Sequence, residues 1–117
     1  MSLDYAAEHL AAAVRSLASS EAPLQARLQQ AWDGHVQFVW EKPCLTRDLL
    51  REFRDLCRDY TAPSDDRQST TLRPMDDEEL RQAIGQLVSL ASRTAIAAAL
   101  ATPDTQLATL ADLGKET

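Results

Sequence analysis

The side chains with the widest chemical repertoire are few. Two histidines, His9 and His35, and two cysteines, Cys44 and Cys57, are the soft ligands and thiols of this 117-residue chain. Glu8-His9 is not the His-Glu-x-x-His arrangement that sets two imidazoles one helical turn apart on zinc. The Glu-x-x-His motif of a di-metal bundle does not occur either. A zinc site would have to be assembled across helices from His9, His35, Cys44 and acids. A thiol nucleophile needs a base beside it, and the sequence singles out none for either cysteine. Cys57 falls on an apolar helical face and reads as a small core residue, while Cys44 follows Pro43 in a loop and reads as the more exposed. Gly-rich phosphate loops and the Gly-x-Ser-x-Gly elbow are absent. The expectation is a non-enzyme with no catalytic residue, no metal and no cofactor.

Charge offers more. Arg47, Arg51, Arg54 and Arg58 recur at intervals of four, three and four, which sets four guanidiniums on one stripe of a helix. Asp48, Glu52, Asp55 and Asp59 follow one residue later, about 100° further round. Such a face is either solvated, with local pairs worth a few tenths of a kcal/mol, or a docking surface for an acidic partner or a second subunit. Phosphate contact would bring nucleic acid against the adjoining acids, which argues against direct nucleic-acid binding. Asp76, Asp77, Glu78 and Glu79 cluster at a helix start. There they complement the helix dipole by about 0.3–1 kcal/mol each, the alternative being a site for a cation or a basic partner. Trp32 and Trp40 read as core anchors, with a pocket lined by Trp32, Tyr5 and Tyr60 as the alternative.

The elements that must carry these residues are helices. Leu3, Ala7, Leu10, Val14 and Leu17 mark a first helix over about 4–19. Ser20 is placed to cap a second over about 21–41, whose face is Leu24, Leu28, Ala31, Trp32, His35, Val36 and Val39, widened by Phe38 and Trp40. Lys42-Pro43 ends it. Thr46 caps a third over about 47–61, with a core stripe of Leu49, Phe53, Leu56 and Tyr60 and a Leu45–Leu50 staple. The polar connection 62–74 is expected to be the most mobile internal segment. Asp76 and Glu79 then form a capping box before a fourth helix with Leu80, Ile84, Leu87, Ala91 and Ala95 on its face. Thr102-Pro103 stops it, and the tail 102–117 has room for a short fifth helix around Leu107, Leu110 and Leu113. The fold class is all-α: one domain over 1–117, a bundle of four main helices with a short C-terminal fifth.

Composition agrees. With 44% hydrophobic and 26% charged residues the chain suits one globular core. A net charge of −6 excludes a basic, non-specific nucleic-acid binder. No basic segment leads into a long apolar run at the start, and no uncharged apolar stretch reaches the roughly 18 residues of a membrane span. The expected location is the cytoplasm, without membrane contact.

Three stretches carry a resemblance. They are Tyr5-Ala6-Ala7-Glu8-His9-Leu10 with Ala13-Val14-Arg15-Ser16-Leu17-Ala18, then Arg27-Leu28 with Ala31, and Thr71-Leu72-Arg73-Pro74-Met75-Asp76-Asp77-Glu78-Glu79. In order and spacing, over about 5–90, they resemble a family of small bacterial proteins with a Tyr-Ala-x-Glu-Lys-x opening and a Thr-Leu-x-x-Met-x-x-Glu-Glu segment before the last long helix. His9 stands at the family's lysine, and Leu45-Thr46 at a Phe-Pro pair. The resemblance implies an all-helical fold and no activity, since the family has no established function.

One feature of the fourth helix points to a partner. From Ala95 to Ala101 it is apolar all the way round, with Ile96 and Leu100 on the side where Arg81, Ser89, Ser92 and Arg93 lie earlier. A helix end of that kind must be covered, by a second copy or by the chain's own tail. The functional reading is a protein–protein interaction or regulatory module acting as a homodimer or binding another protein. Its interaction surface comprises Arg47, Arg51, Arg54, Arg58, Ile96 and Leu100. A small-ligand-binding or catalytic bundle is the alternative, and an acidic mimic of nucleic acid a further one.

Overall fold

The sixteen residues from Leu3 to Ala18 form α1 because Leu3, Ala6, Leu10, Ala13 and Leu17, alternately three and four apart, bury one face. Two alanines in that stripe suit close approach, and α1 packs most extensively against the last long helix. The expected stripe ran through Ala7 and Val14. These are only half-buried, because the face is turned toward Ala6 and Ala13. The computed structural model describes residues 2–40, 43–62 and 71–114, and in it α1 is followed by α2 (Leu24–Gly34), a 3-10 helix (Val36–Trp40), α3 (Arg47–Tyr60), α4 (Asp77–Leu100) and α5 (Leu110–Gly114).

The second helix is shorter than its apolar pattern. Pro23 occupies the N-cap position, and the Ser20 hydroxyl instead accepts from the Ala22 N–H at 3.1 Å, closing a local turn. At the other end the α-helix stops at Gly34, and His35 breaks its geometry with φ −139° and ψ −54°. The run His35–Trp40 is rich in β-branched and aromatic residues that helices favour least. Tertiary packing holds it as a 3-10 turn instead, with Val36 and Val39 buried.

Around these, α3 buries Leu49, Leu50, Phe53, Leu56, Cys57 and Tyr60. Thr46 is its N-cap residue, though its hydroxyl makes no cap hydrogen bond. The start of α4 is closed as expected: Asp76 accepts from the Glu79 N–H at 2.8 Å and Glu79 accepts from the Asp76 N–H at 3.4 Å. Its buried face is Leu80, Ala83, Leu87, Leu90, Ala91 and Thr94. Ile84 is therefore only half-buried and Ala95 is exposed, a rotation of the expected face. Thr94 tolerates burial because its hydroxyl donates to the Leu90 carbonyl at 2.7 Å.

The connection before α4 is anchored at its described ends. Ala62 donates to Thr71 at 2.7 Å, Arg73 donates to Tyr60 at 3.0 Å, and Thr61 and Leu72 form an antiparallel bridge. Residues 71–74 are thus tied down against the expectation of mobility, while 63–70 lie outside the described residues. The fold class is all-α, and residues from all five helices, α5 through Leu113, line a common apolar core.

Candidate functional site

The solvent face of α4 is the surface that the fold leaves unfinished. Val88, Ile96 and Leu100 are 39%, 60% and 75% exposed, the large apolar side chains most open to water among the described residues. Ala95 and Ala99 are exposed beside them, while Ala97 and Ala98 rest half-buried on the core. Of the two covers considered for this end of the helix, a second copy or the chain's own tail, the described part of the tail does not serve, since Ile96 and Leu100 stay exposed. After Ala101 the chain turns, the Thr102 N–H donating to the Thr105 hydroxyl at 2.9 Å. It then runs to α3, where Ala108 donates to Leu45 at 2.8 Å and Leu113 is buried. α5 packs on α3. Leu107 is only half-buried against the core, and the Leu110 side chain lies outside what the structure describes. The tail covers α3 because Leu45 offers it a backbone partner.

This helix has a further property that an uncharged-run criterion misses. Arg93 interrupts the run, yet over 18 residues α4 reaches a mean hydropathy of 1.4. By length and composition it would span a membrane, a weak indication that the core helix of a bundle also gives. Only 28% of that window is buried, so much of its apolar and small-residue surface is on display.

Beside the face runs a groove between α3 and α4, of about 240 Å³, lined by Glu52, Asp55 and Leu56 on one side and by Gln86, Ser89 and Arg93 on the other. Arg93 donates to Glu52 across it, and both side chains remain partly exposed. The second carboxylate oxygen of Glu52 is buried without a hydrogen-bond partner. The volume is at the small end for a ligand site.

The four arginines of α3 do share one helix surface, but with their own carboxylates. Arg51 lies 3.3 Å from Asp48, Arg54 3.4 Å from Asp55 and Arg58 3.9 Å from Asp55. Arg47 is exposed at the first turn. An acidic partner would have to displace these local pairs, each of small worth in water.

Arg73 matters more than the stripe, and no spacing singles it out. Its guanidinium donates to the Asp59 carbonyl at 2.8 Å, pairs with Glu79 at 2.6 Å and lies 5.7 Å from the Tyr60 ring centre. It thereby ties the end of α3 to the start of α4. Gln25 and Gln29, one turn apart on α2, serve the same segment. Gln29 accepts from the Leu72 N–H at 2.8 Å, while Gln25 donates to the Arg73 carbonyl at 3.0 Å and accepts from the Met75 N–H at 3.2 Å.

The remaining candidates are buried or packed against one another. Trp32 is fully buried, so it offers a ligand no surface, and Tyr60 is buried beneath Arg73. Tyr5 and His9 meet edge to face at 4.5 Å, with Phe38 at 5.6 Å from His9. Cys44 is 1% exposed rather than open in its loop, its thiol donating to the Val39 carbonyl at 3.6 Å. Cys44 and Leu45 are both buried in the core. Burial pushes the Cys44 thiol up to about 11 and Cys57 up to about 12, the reverse of what a thiolate nucleophile requires. Among the described residues no three His, Cys, Asp or Glu side chains converge as a metal site would need. Comparison with protein-family models, curated proteins and solved structures finds no match.

Proposed function

We propose that this chain is a non-enzymatic interaction module of the bacterial cytoplasm that works as a homodimer, with the C-terminal half of α4 as its contact surface. The observation that supports the reading is the exposure of Ile96 and Leu100 on a helix end that the chain's own tail leaves open. Soluble chains bury such surface against another chain, and a symmetric contact with a second copy is the commonest solution. The arginine stripe of α3 is a weaker candidate for the primary contact because Arg51, Arg54 and Arg58 lie beside carboxylates of their own helix.

Light scattering after size exclusion tests this. A dimer at high micromolar concentration is expected, with Ile96→Asp giving a folded monomer of unchanged helicity. A monomer for the parent chain at that concentration would overturn the reading. The second reading, a small ligand in the α3–α4 groove, is favoured by the unpartnered Glu52 oxygen that faces no donor. A small molecule co-purifying in stoichiometric amount, and lost in Glu52→Gln, would establish it.

A further inference from the structure

Resting on that reading, we infer that the second copy binds by laying its own α4 antiparallel across the first, centred on Ser92. Three observations lead there. First, the solvent face is free of charge along four turns. Beyond Gln82 the only charged residue of α4 is Arg93, and Arg93 is turned to Glu52 of α3. In a chain of which 26% is charged, the neighbouring exposed surface of α3 shows what a solvated face looks like here, with arginines and aspartates at every turn. The α4 face is instead made of Gly85, Val88, Ser92, Ile96 and Ala99, flanked by Ser89 and Leu100 on one side and Ala95 on the other.

Second, nothing among the described residues requires a glycine at position 85. It lies inside a helix, where glycine weakens the structure, its φ is not positive, and a Cβ built on it would meet nothing within 4 Å. A glycine on an exposed helix face permits one thing that alanine does not: a second backbone lying closer against it.

Third, charge selects the direction. A parallel pair would hold the two Asp76–Glu79 clusters about 10 Å apart, one helix spacing, and even with Arg73 paired to Glu79 and Arg81 to Glu78 two of the four acids in each cluster are left over to repel. An antiparallel pair centred on Ser92 separates them by about 40 Å, several times the screening length of about 8 Å in physiological salt. It also sets the two helix dipoles side by side in opposite directions, the attractive arrangement. That register is self-complementary in size. Ser92 lies midway between Gly85 and Ala99 and between Val88 and Ile96, so the smallest residue meets a small one and the two large apolar side chains cross the same contact from opposite copies.

Cysteine scanning on the full chain decides the geometry, because the native Cys44 and Cys57 are buried. Ser92→Cys should cross-link to itself under mild oxidation. Val88→Cys and Ile96→Cys should cross-link to each other when mixed, and Ile96→Cys alone should not. Efficient Ile96→Cys homodimers would show a parallel pair and overturn the inference while leaving the dimer intact. Gly85→Leu, at an exposed position where a Cβ meets nothing within 4 Å, should raise the dimer dissociation constant by at least about tenfold with the fold unchanged. An unchanged constant would also overturn it. If light scattering finds only monomer, the reading beneath fails as well, and flotation with vesicles of zwitterionic and anionic lipid then asks whether a membrane occupies the face.

Discussion

Arg93 of α4 donates to Glu52 of α3 across the groove between the two helices. This pair draws the one charged residue of α4 beyond Gln82 toward the helix beside it. Both partners remain partly exposed, 49% and 40% by side chain, so water screens much of the attraction. A double-mutant cycle with Arg93→Ala and Glu52→Ala should therefore give a coupling of no more than about 1 kcal/mol. Arg93→Leu should extend the apolar face and raise self-association while leaving the melting temperature nearly unchanged. A coupling several times larger in urea unfolding would show the groove to be far drier than its exposure indicates.

Gln25 and Gln29 should prove more important to folding than their polar, surface-facing type suggests. Between them they satisfy two N–H groups and one carbonyl of the segment Leu72–Met75, which has no helix or sheet of its own to bond to. Removing one amide leaves backbone groups unmet at a cost of about 1–3 kcal/mol. Gln25→Ala and Gln29→Ala are each expected in that range by urea unfolding. Losses below about 0.5 kcal/mol would show that water replaces the amides freely.

Arginines should divide sharply by what they touch. Arg73 joins a backbone carbonyl, a carboxylate and an aromatic ring from two helices. Hydrogen bonds involving a charged group contribute about 1.5–3 kcal/mol, so Arg73→Ala should be the most destabilising arginine substitution. Charge reversal at Arg51 and Arg54, which pair along their own helix, should move stability by about 0.5 kcal/mol or less. If these reversals weaken association without touching stability, the stripe is an auxiliary contact. Equal losses at Arg73 and Arg54 would refute the division.

The features legible in the sequence were those set by local periodicity. The apolar core stripe of α3 (Leu49, Phe53, Leu56 and Tyr60) and the Asp76–Glu79 box need only three- and four-residue spacing, and both are present. Long-range bonding was not legible. Nothing in the spacing of Gln25 and Gln29 announces a partner more than forty residues away, and Arg73 looks like any loop arginine. The end of α2 was missed because apolar residues continued past Gly34, and periodicity alone does not distinguish a 3-10 turn packed on the core from a continuing α-helix. Cys44 was misplaced because a loop position says little about where the loop lies. The Ile96 and Leu100 surface was half legible: its need of cover followed from the pattern, but the direction of the tail depended on the bridge between Ala108 and Leu45.

The two buried thiols should weaken the fold at alkaline pH. An exposed thiol titrates near 9.0, and burial holds Cys44 up to about 11 and Cys57 up to about 12. From about pH 9 upward the unfolded chain releases these protons while the folded chain keeps them, so the native state binds more protons and its stability falls as pH rises. Their contribution is whole below pH 9 and is lost as pH climbs to the folded values. Each thiol adds up to about 1.4 kcal/mol of decline per pH unit. Urea unfolding at about pH 7 and about pH 10 should show the loss. Cys57→Ala should be less stable at neutral pH, through the cavity it leaves, yet decline less steeply. Near neutral pH neither thiol should react with a chromogenic disulfide reagent until urea opens the fold. Prompt reaction of Cys44 in native buffer, or a slope that Cys57→Ala leaves unchanged, would show that the buried thiols do not govern the alkaline transition.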